Sequence, residues 1–236
     1  MKLIYSVCYY YGKNCKNNLE EHIKCFKNIS ENDKIFSLQI MVDIRDREYL
    51  KKIEEEFISF FDERGLIEYD VIVNYNWGGT IVGLWLVYKK FYDIVEEKNN
   101  TYVAHFEEDF RAINNRWLDD SLKKLENNNY YIGESCDNRK KTGNDDGRLT
   151  GKNYINTVRL GSPEVWLDGG YYFSSLEKLK IIHDHIGIFH KGNPNTKYTN
   201  LLDGISIGEV GFPTLVHHSQ LNFDFLNRDD YFRHYC

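Results

Sequence analysis

The stretch Thr101–Phe110, TYVAHFEEDF, decides how this chain is read. Thr101–Phe106 has the composition of a buried strand, and three acidic residues, Glu107, Glu108 and Asp109, follow it without a break. Adjacent carboxylates repel one another, and charged side chains are rarely placed at an apolar edge. Such clusters are most often solvated surface. The other reading is a cation site. In extended backbone residues 107 and 109 share a face and 108 points the opposite way. One face then offers two carboxylates to Mg2+ or Mn2+, which take oxygen ligands and commonly bridge a diphosphate.

The flanking sequence puts this run into an alternating series of strands and helices. Lys2–Tyr9 reads as a strand, Tyr10–Asn18 as a loop containing Gly12, and Leu19–Ile29 as a helix. Lys34–Val42 is a second strand, ending at Asp43. Leu50, Ile53, Phe57, Phe60 and Phe61 recur at helical spacing within Arg45–Arg64, and Gly65 suits the C-terminal cap. Tyr69–Val73 is a third strand, and it leads into the turn Asn74-Tyr-Asn-Trp-Gly-Gly79. Thr80 is placed to cap a helix whose buried stripe is Ile81, Leu84, Trp85, Tyr88, Phe91 and Val95. Thr101–Phe106 is therefore the fourth strand of an α/β domain with a mainly parallel sheet flanked by helices. The acidic triplet sits at its C-terminal end, where open α/β sheets bind ligands.

The second half is less regular. Arg116–Asn128 reads as a helix and Tyr130–Gly133 as a strand. Asp137–Asn153 is polar and aperiodic, with the length of a lid or binding loop. With no repeat and no linker, residues 1–236 are expected to form a single domain.

Composition narrows the function. The chain has 236 residues, 42% hydrophobic and 15% aromatic, which is globular rather than disordered. A formal charge of -6 argues against a dedicated nucleic-acid binder. No apolar run approaches the roughly 20 residues of a transmembrane helix. The N-terminal MKLIYSVCYYYGKN reads as a core strand rather than a signal peptide. The 5 cysteines form no CxxC pair, so neither a disulfide framework nor a zinc knuckle is indicated. A soluble cytoplasmic protein with reduced thiols is the expectation; oligomeric state is not legible.

The turn after the third strand lacks both the GxxxxGK[ST] and the GxGxxG patterns. Gly78 and Gly79 would let backbone approach a ligand, or a neighbouring strand, closely. Taken together, NYNWGGTIVGLWLVYKKF and YVAHFEEDF resemble the central part of GT-A glycosyltransferases, in which an Asn/Gly-rich turn, a helix and a strand lead to an Asp-x-Asp-type motif. Here the motif is Glu107-x-Asp109, with Glu in place of the first Asp. WLDGGYYF and IGEVGFPTLVHH are similar to that family's acceptor-side segments.

The resemblance implies a Rossmann-like nucleotide-diphospho-sugar transferase fold. It also implies metal-dependent transfer of a sugar from a nucleoside-diphosphate sugar, UDP being the commonest carrier, to a glycan or other hydroxyl acceptor, with Mn2+ or Mg2+. Tyr9 and Tyr10 would face the nucleotide, one of them stacking on the base, though either ring could equally be core. Asp43 would contact the base or ribose, and Asn74, Gly78 and Gly79 would line the donor site. Glu107 would touch the ribose or metal, Asp109 would be the principal metal ligand, and His217 or its neighbour His218 would complete the shell. Glu209 would act as general base, although Val210 stands where an Asp usually follows. Asp168 would contact the acceptor and competes for the base's role. Whether transfer inverts or retains stays open. Two other readings stand beside it. One is a sugar-1-phosphate nucleotidyltransferase, for which the first loop lacks a Gly-rich basic cradle. The other is a non-catalytic relative that binds a sugar nucleotide or carbohydrate.

Overall fold

A computed structural model describes residues 1–10, 15–29, 34–42, 47–66, 68–75, 79–127, 130–135, 168–180 and 222–235. Strands β1 (Lys2–Tyr10), β2 (Lys34–Val42), β3 (Tyr69–Tyr75) and β4 (Thr101–Glu107) alternate with helices α1 (Cys15–Asn28), α2 (Arg47–Glu63) and α3 (Gly79–Phe91). After them come β5 (Phe110–Ala112), α4 (Arg116–Glu126), β6 (Tyr131–Ser135), β7 (Asp168–Ser175), β8 (Phe223–Asn227) and β9 (Phe232–His234). Seven strands form one sheet in the order β3-β2-β1-β4-β7-β6-β8, and β5 and β9 pair separately as a small ribbon. Within the sheet β7 alone runs antiparallel to its neighbours, β4 and β6; the other described pairings are parallel.

The strand order records a reversal. From β1 the chain steps to β2 and then β3 on one side, and β4 returns to the other side of β1. Because βαβ crossovers are right-handed, helices laid down in opposite directions of travel cover opposite faces. Leu19, Ile23 and Phe26 of α1 and Ile53, Phe57 and Phe61 of α2 accordingly share a core with Tyr5, Val7 and Tyr9 of β1 and with Phe36, Leu38 and Ile40 of β2. Helix α3 packs on β1 and β4 and buries Leu84, Val87 and Phe91.

The two faces differ in chemistry. On the α1–α2 face the centre is aromatic: Tyr5 stacks on Phe106 with centroids 4.9 Å apart, and Trp117 meets Phe106 edge-on at 5.5 Å and Tyr171 at 5.7 Å. Pairs of this kind add about 0.5–1.5 kcal/mol beyond the area they bury. The opposite face carries a polar seam in which Gln39 Nε2 donates to Ser6 Oγ at 2.6 Å and Ser6 Oγ lies 2.9 Å from His105 Nδ1. All three residues are fully buried.

The α/β class, the mainly parallel sheet and the first four strands agree with the sequence reading. Helix α1 begins at Cys15, four residues ahead of Leu19, because its apolar stripe starts one turn inside the helix. Helix α3 begins at Gly79, so Thr80 lies within its first turn rather than before it. Gly65 has φ +58, the left-handed conformation of a helix-terminating glycine. The short strands β5, β8 and β9 were not anticipated. The expected loop at 137–153 lies outside the described residues. No described helix is long and apolar enough to cross a membrane.

Gly170 has a packing reason. A Cβ built there would lie 2.4 Å from the Phe110 ring, closer than atoms tolerate. Gly170→Ala should therefore destabilise by about 1–3 kcal/mol, read as a lowered thermal midpoint. A midpoint unchanged within a degree would remove this account of the glycine.

Burial, the largest cause in both cases, depresses His22 to about 4 and His105 to about 3, against an ordinary 6.5. Between those values and 6.5 the unfolded chain binds protons that the folded chain refuses, so stability falls as pH drops through this window and is fully present above it. Urea midpoints measured from pH 7 to pH 4.5 should decline, and His105→Gln should make the decline shallower.

Candidate active site

All strands of the seven-stranded sheet except β7 point the same way, so their C-terminal ends gather at one edge of the sheet. Running antiparallel, β7 brings its first residue, Asp168, to that same edge. Strands β1 and β4 are neighbours at the point where the winding reverses, and in open α/β sheets the ligand crevice lies outside the strand ends at such a switch point.

Several residues expected from the sequence lie along this edge, spread over its strands. Tyr10 ends β1, Asn74 is the penultimate residue of β3, Gly79 opens α3, Glu107 ends β4 and Asp168 opens β7. Asp109 belongs to the turn that follows Glu107. Asp43, Gly78, Glu209, His217 and His218 lie outside the described residues.

Two expectations need correction. Tyr9 does not face a nucleotide crevice: its ring is fully buried and meets Phe57 of α2 edge-on at 4.9 Å. Pleating settles this, because Tyr9 shares the face of Tyr5 and Val7 and is claimed by the core. The alternation argued for residues 107 to 109 also stops short, since β4 ends at Glu107 and Glu108–Asp109 form a turn into β5. The chain leaves the main sheet there to pair with β9, so the relation between the Glu107 and Asp109 carboxylates is set by a turn and not by a pleat.

That turn is held from two sides. From α1, the His22 Nε2 donates to the backbone carbonyls of Glu108 at 2.9 Å and Glu107 at 3.2 Å. The Tyr5 hydroxyl lies 2.9 Å from His22 Nδ1. From the ribbon, the Tyr235 amide donates to the Asp109 carbonyl at 2.6 Å, and β9 sets His234 opposite Phe110. His234 Nε2 consequently lies 3.1 Å from Asp109 Oδ2, with the two side chains 44% and 30% exposed. Phe110 anchors the turn from below, 5.2 Å from Phe232, and the Arg111 guanidinium lies 3.6 Å over the Tyr235 ring.

Three acidic side chains follow one another along the turn. Glu107, Glu108 and Asp109 are all partly exposed, so their oxygens reach solvent while their backbone is braced. Cys8 pairs with Glu107 across β1 and β4. Burial, followed by the negative charges of Glu107 and Glu108, pushes its thiol well above the ordinary range. Among the described residues no group of three or more His, Cys, Asp and Glu side chains is placed to hold a metal ion. Asp109 and His234, 3.1 Å apart, bring one carboxylate and one imidazole together at the turn.

Sequence reasoning missed His22, His234 and Arg111. His22 carried a faint signal, as a histidine on the Leu19–Ile23–Phe26 stripe of α1. His234 carried none, because its position depends on pairing between strands far apart in the chain.

The Asp109–His234 pair is partly exposed, and such pairs contribute about 0–1 kcal/mol. Asp109→Ala and His234→Ala should therefore leave urea-unfolding midpoints close to wild type, marking both residues as available for function; a loss above about 2 kcal/mol would assign them to structure. No family model matches the chain, and no curated protein matches it.

Proposed function

We propose that this chain is a metal-dependent glycosyltransferase of GT-A type, transferring a sugar from a nucleoside-diphosphate donor, UDP by preference, to a glycan or other hydroxyl acceptor. The observation that carries the reading is the braced acid turn at the switch point: partly exposed carboxylates following β4, with an imidazole 3.1 Å from Asp109. A soluble enzyme working in the cytoplasm goes with this reading.

Asp109 and Glu107 hold Mn2+ or Mg2+, and His234 takes the role that the resemblance gave to His217. When bound, the cation stabilises the negative charge that builds on the departing diphosphate, a contribution of several kcal/mol. Tyr10, at the end of β1, replaces Tyr9 as the tyrosine of the base site. Asp168, at the same sheet edge, orients the acceptor hydroxyl, and Glu209 takes its proton.

Calorimetric titration of nucleoside diphosphates and sugar nucleotides tests this, with Mn2+ and with chelator, on wild type and Asp109→Ala. One nucleotide should bind in a metal-dependent way, with affinity lost in the variant. No binding of any nucleotide by wild type would overturn the proposal. Binding without turnover on any hydroxyl acceptor would assign the chain to the non-catalytic relatives.

A further inference from the structure

Glu107 and Asp109 are useful to a cation only if the backbone between them keeps their oxygens at a set separation, and adjacent carboxylates repel. One restraint on that backbone comes from a residue on another element. His22 of α1 is fully buried, and its Nε2 meets two successive carbonyls, those of Glu107 at 3.2 Å and Glu108 at 2.9 Å. One N–H shared between two carbonyls forces both to point the same way, which sets the peptide planes on either side of Glu108.

The sharing requires that Nε2 carry the proton, because a carbonyl only accepts. Nδ1 is then the bare nitrogen, and the fully buried Tyr5 hydroxyl 2.9 Å away donates to it. That bond steadies the Nε2–H tautomer. The Tyr5 ring is itself fastened by stacking on Phe106 at 4.9 Å and Phe36 at 5.8 Å. A chain of contacts thus runs from the centre of the aromatic core, through one hydroxyl and one imidazole, to the backbone of the acid turn.

We propose that Tyr5 and His22 are positioning residues for the cation site, a dyad that orients the peptide planes of Glu107 and Glu108 and so presets the spacing of the Glu107 and Asp109 carboxylates. The inference rests on the reading of Glu107 and Asp109 as cation ligands. Outer partners that orient ligands in this way are commonly worth 10- to 100-fold in metal affinity.

The test uses the full chain and two measurements. Mn2+ affinity is read by electron paramagnetic resonance for wild type, Asp109→Ala, His22→Phe, His22→Gln and Tyr5→Phe. Amide hydrogen exchange of residues 108–110 is read on the same proteins without metal. His22→Phe keeps a ring but donates nothing, and should weaken Mn2+ binding about 10- to 100-fold while speeding exchange at the turn. His22→Gln keeps an N–H of similar reach and should recover most of both. Tyr5→Phe keeps the stack and removes the tautomer lock. It should weaken Mn2+ binding several-fold, and it carries the test by itself if His22→Phe fails to fold. Wild type that binds Mn2+ through Asp109, with the His22 and Tyr5 variants equally tight and equally protected, overturns the dyad and leaves the cation site standing. Wild type that binds no Mn2+ overturns the cation site, and the dyad's role with it.

Discussion

A right-handed crossover can lay its helix on only one face of a sheet for a given direction of travel, and within β1 to β4 this chain reverses its direction once, on the way from β3 to β4. Much of the arrangement follows from that reversal. Helices α1 and α2 go to one face and α3 to the other, and β1 and β4 become neighbours. The acid turn follows β4, and α1, the helix that comes after β1, reaches it through His22. Had the chain continued in one direction, the same residues would have followed an outer strand, away from α1.

The faces created by the reversal are used differently. The aromatic face supplies rigidity: Tyr5, Phe106, Trp117 and Tyr171 meet at centroid distances of 4.9–6.4 Å, and rings in contact at these distances leave little room for rearrangement. The other face carries Ser6, Gln39 and His105, hydroxyl, amide and imidazole groups that are costly to bury unless they bond one another. The acid turn emerges where the two meet. Its backbone is tied to the aromatic side through His22, and Glu107, by the pleat of β4, belongs to the polar side. A rigid support beneath a charged, solvent-reaching rim is the usual construction of a site that must hold its shape while ligands come and go.

Much of the fold was legible in the sequence because its first half is locally determined. The stripe Leu50–Ile53–Phe57–Phe60–Phe61 has one helical reading, and Lys34–Val42, with its run of apolar residues, was bounded to the residue. Glu107 and Asp109 were legible as an anomaly of charge at the end of such a run. What escaped is whatever depends on partners distant in sequence. Tyr9 and Tyr10 are adjacent aromatic residues with equal claims on a base, and only the pleat of β1 against α2 assigns Tyr9 to the core. Likewise β5 and β9 have 3 residues each, too short to show a period, and they exist because they pair with each other. His234 reaches Asp109 through that pairing, so no local pattern could have pointed to it.

The pairing of Phe110 with His234 also bears on the order in which the molecule is made. The parallel core of β1 to β4 draws only on residues up to 107, whereas the turn beyond it takes its final shape when residues 232–235 arrive. Loop closure over so long a stretch costs only slightly more than over a shorter one, so the delay is one of sequence and not of difficulty. A nascent chain thus pairs β1 to β4 before the His234 imidazole faces Asp109. The Glu107 end of the acid turn, held by His22 of α1, takes shape early, and its Asp109 end is fixed only when β9 pairs with β5.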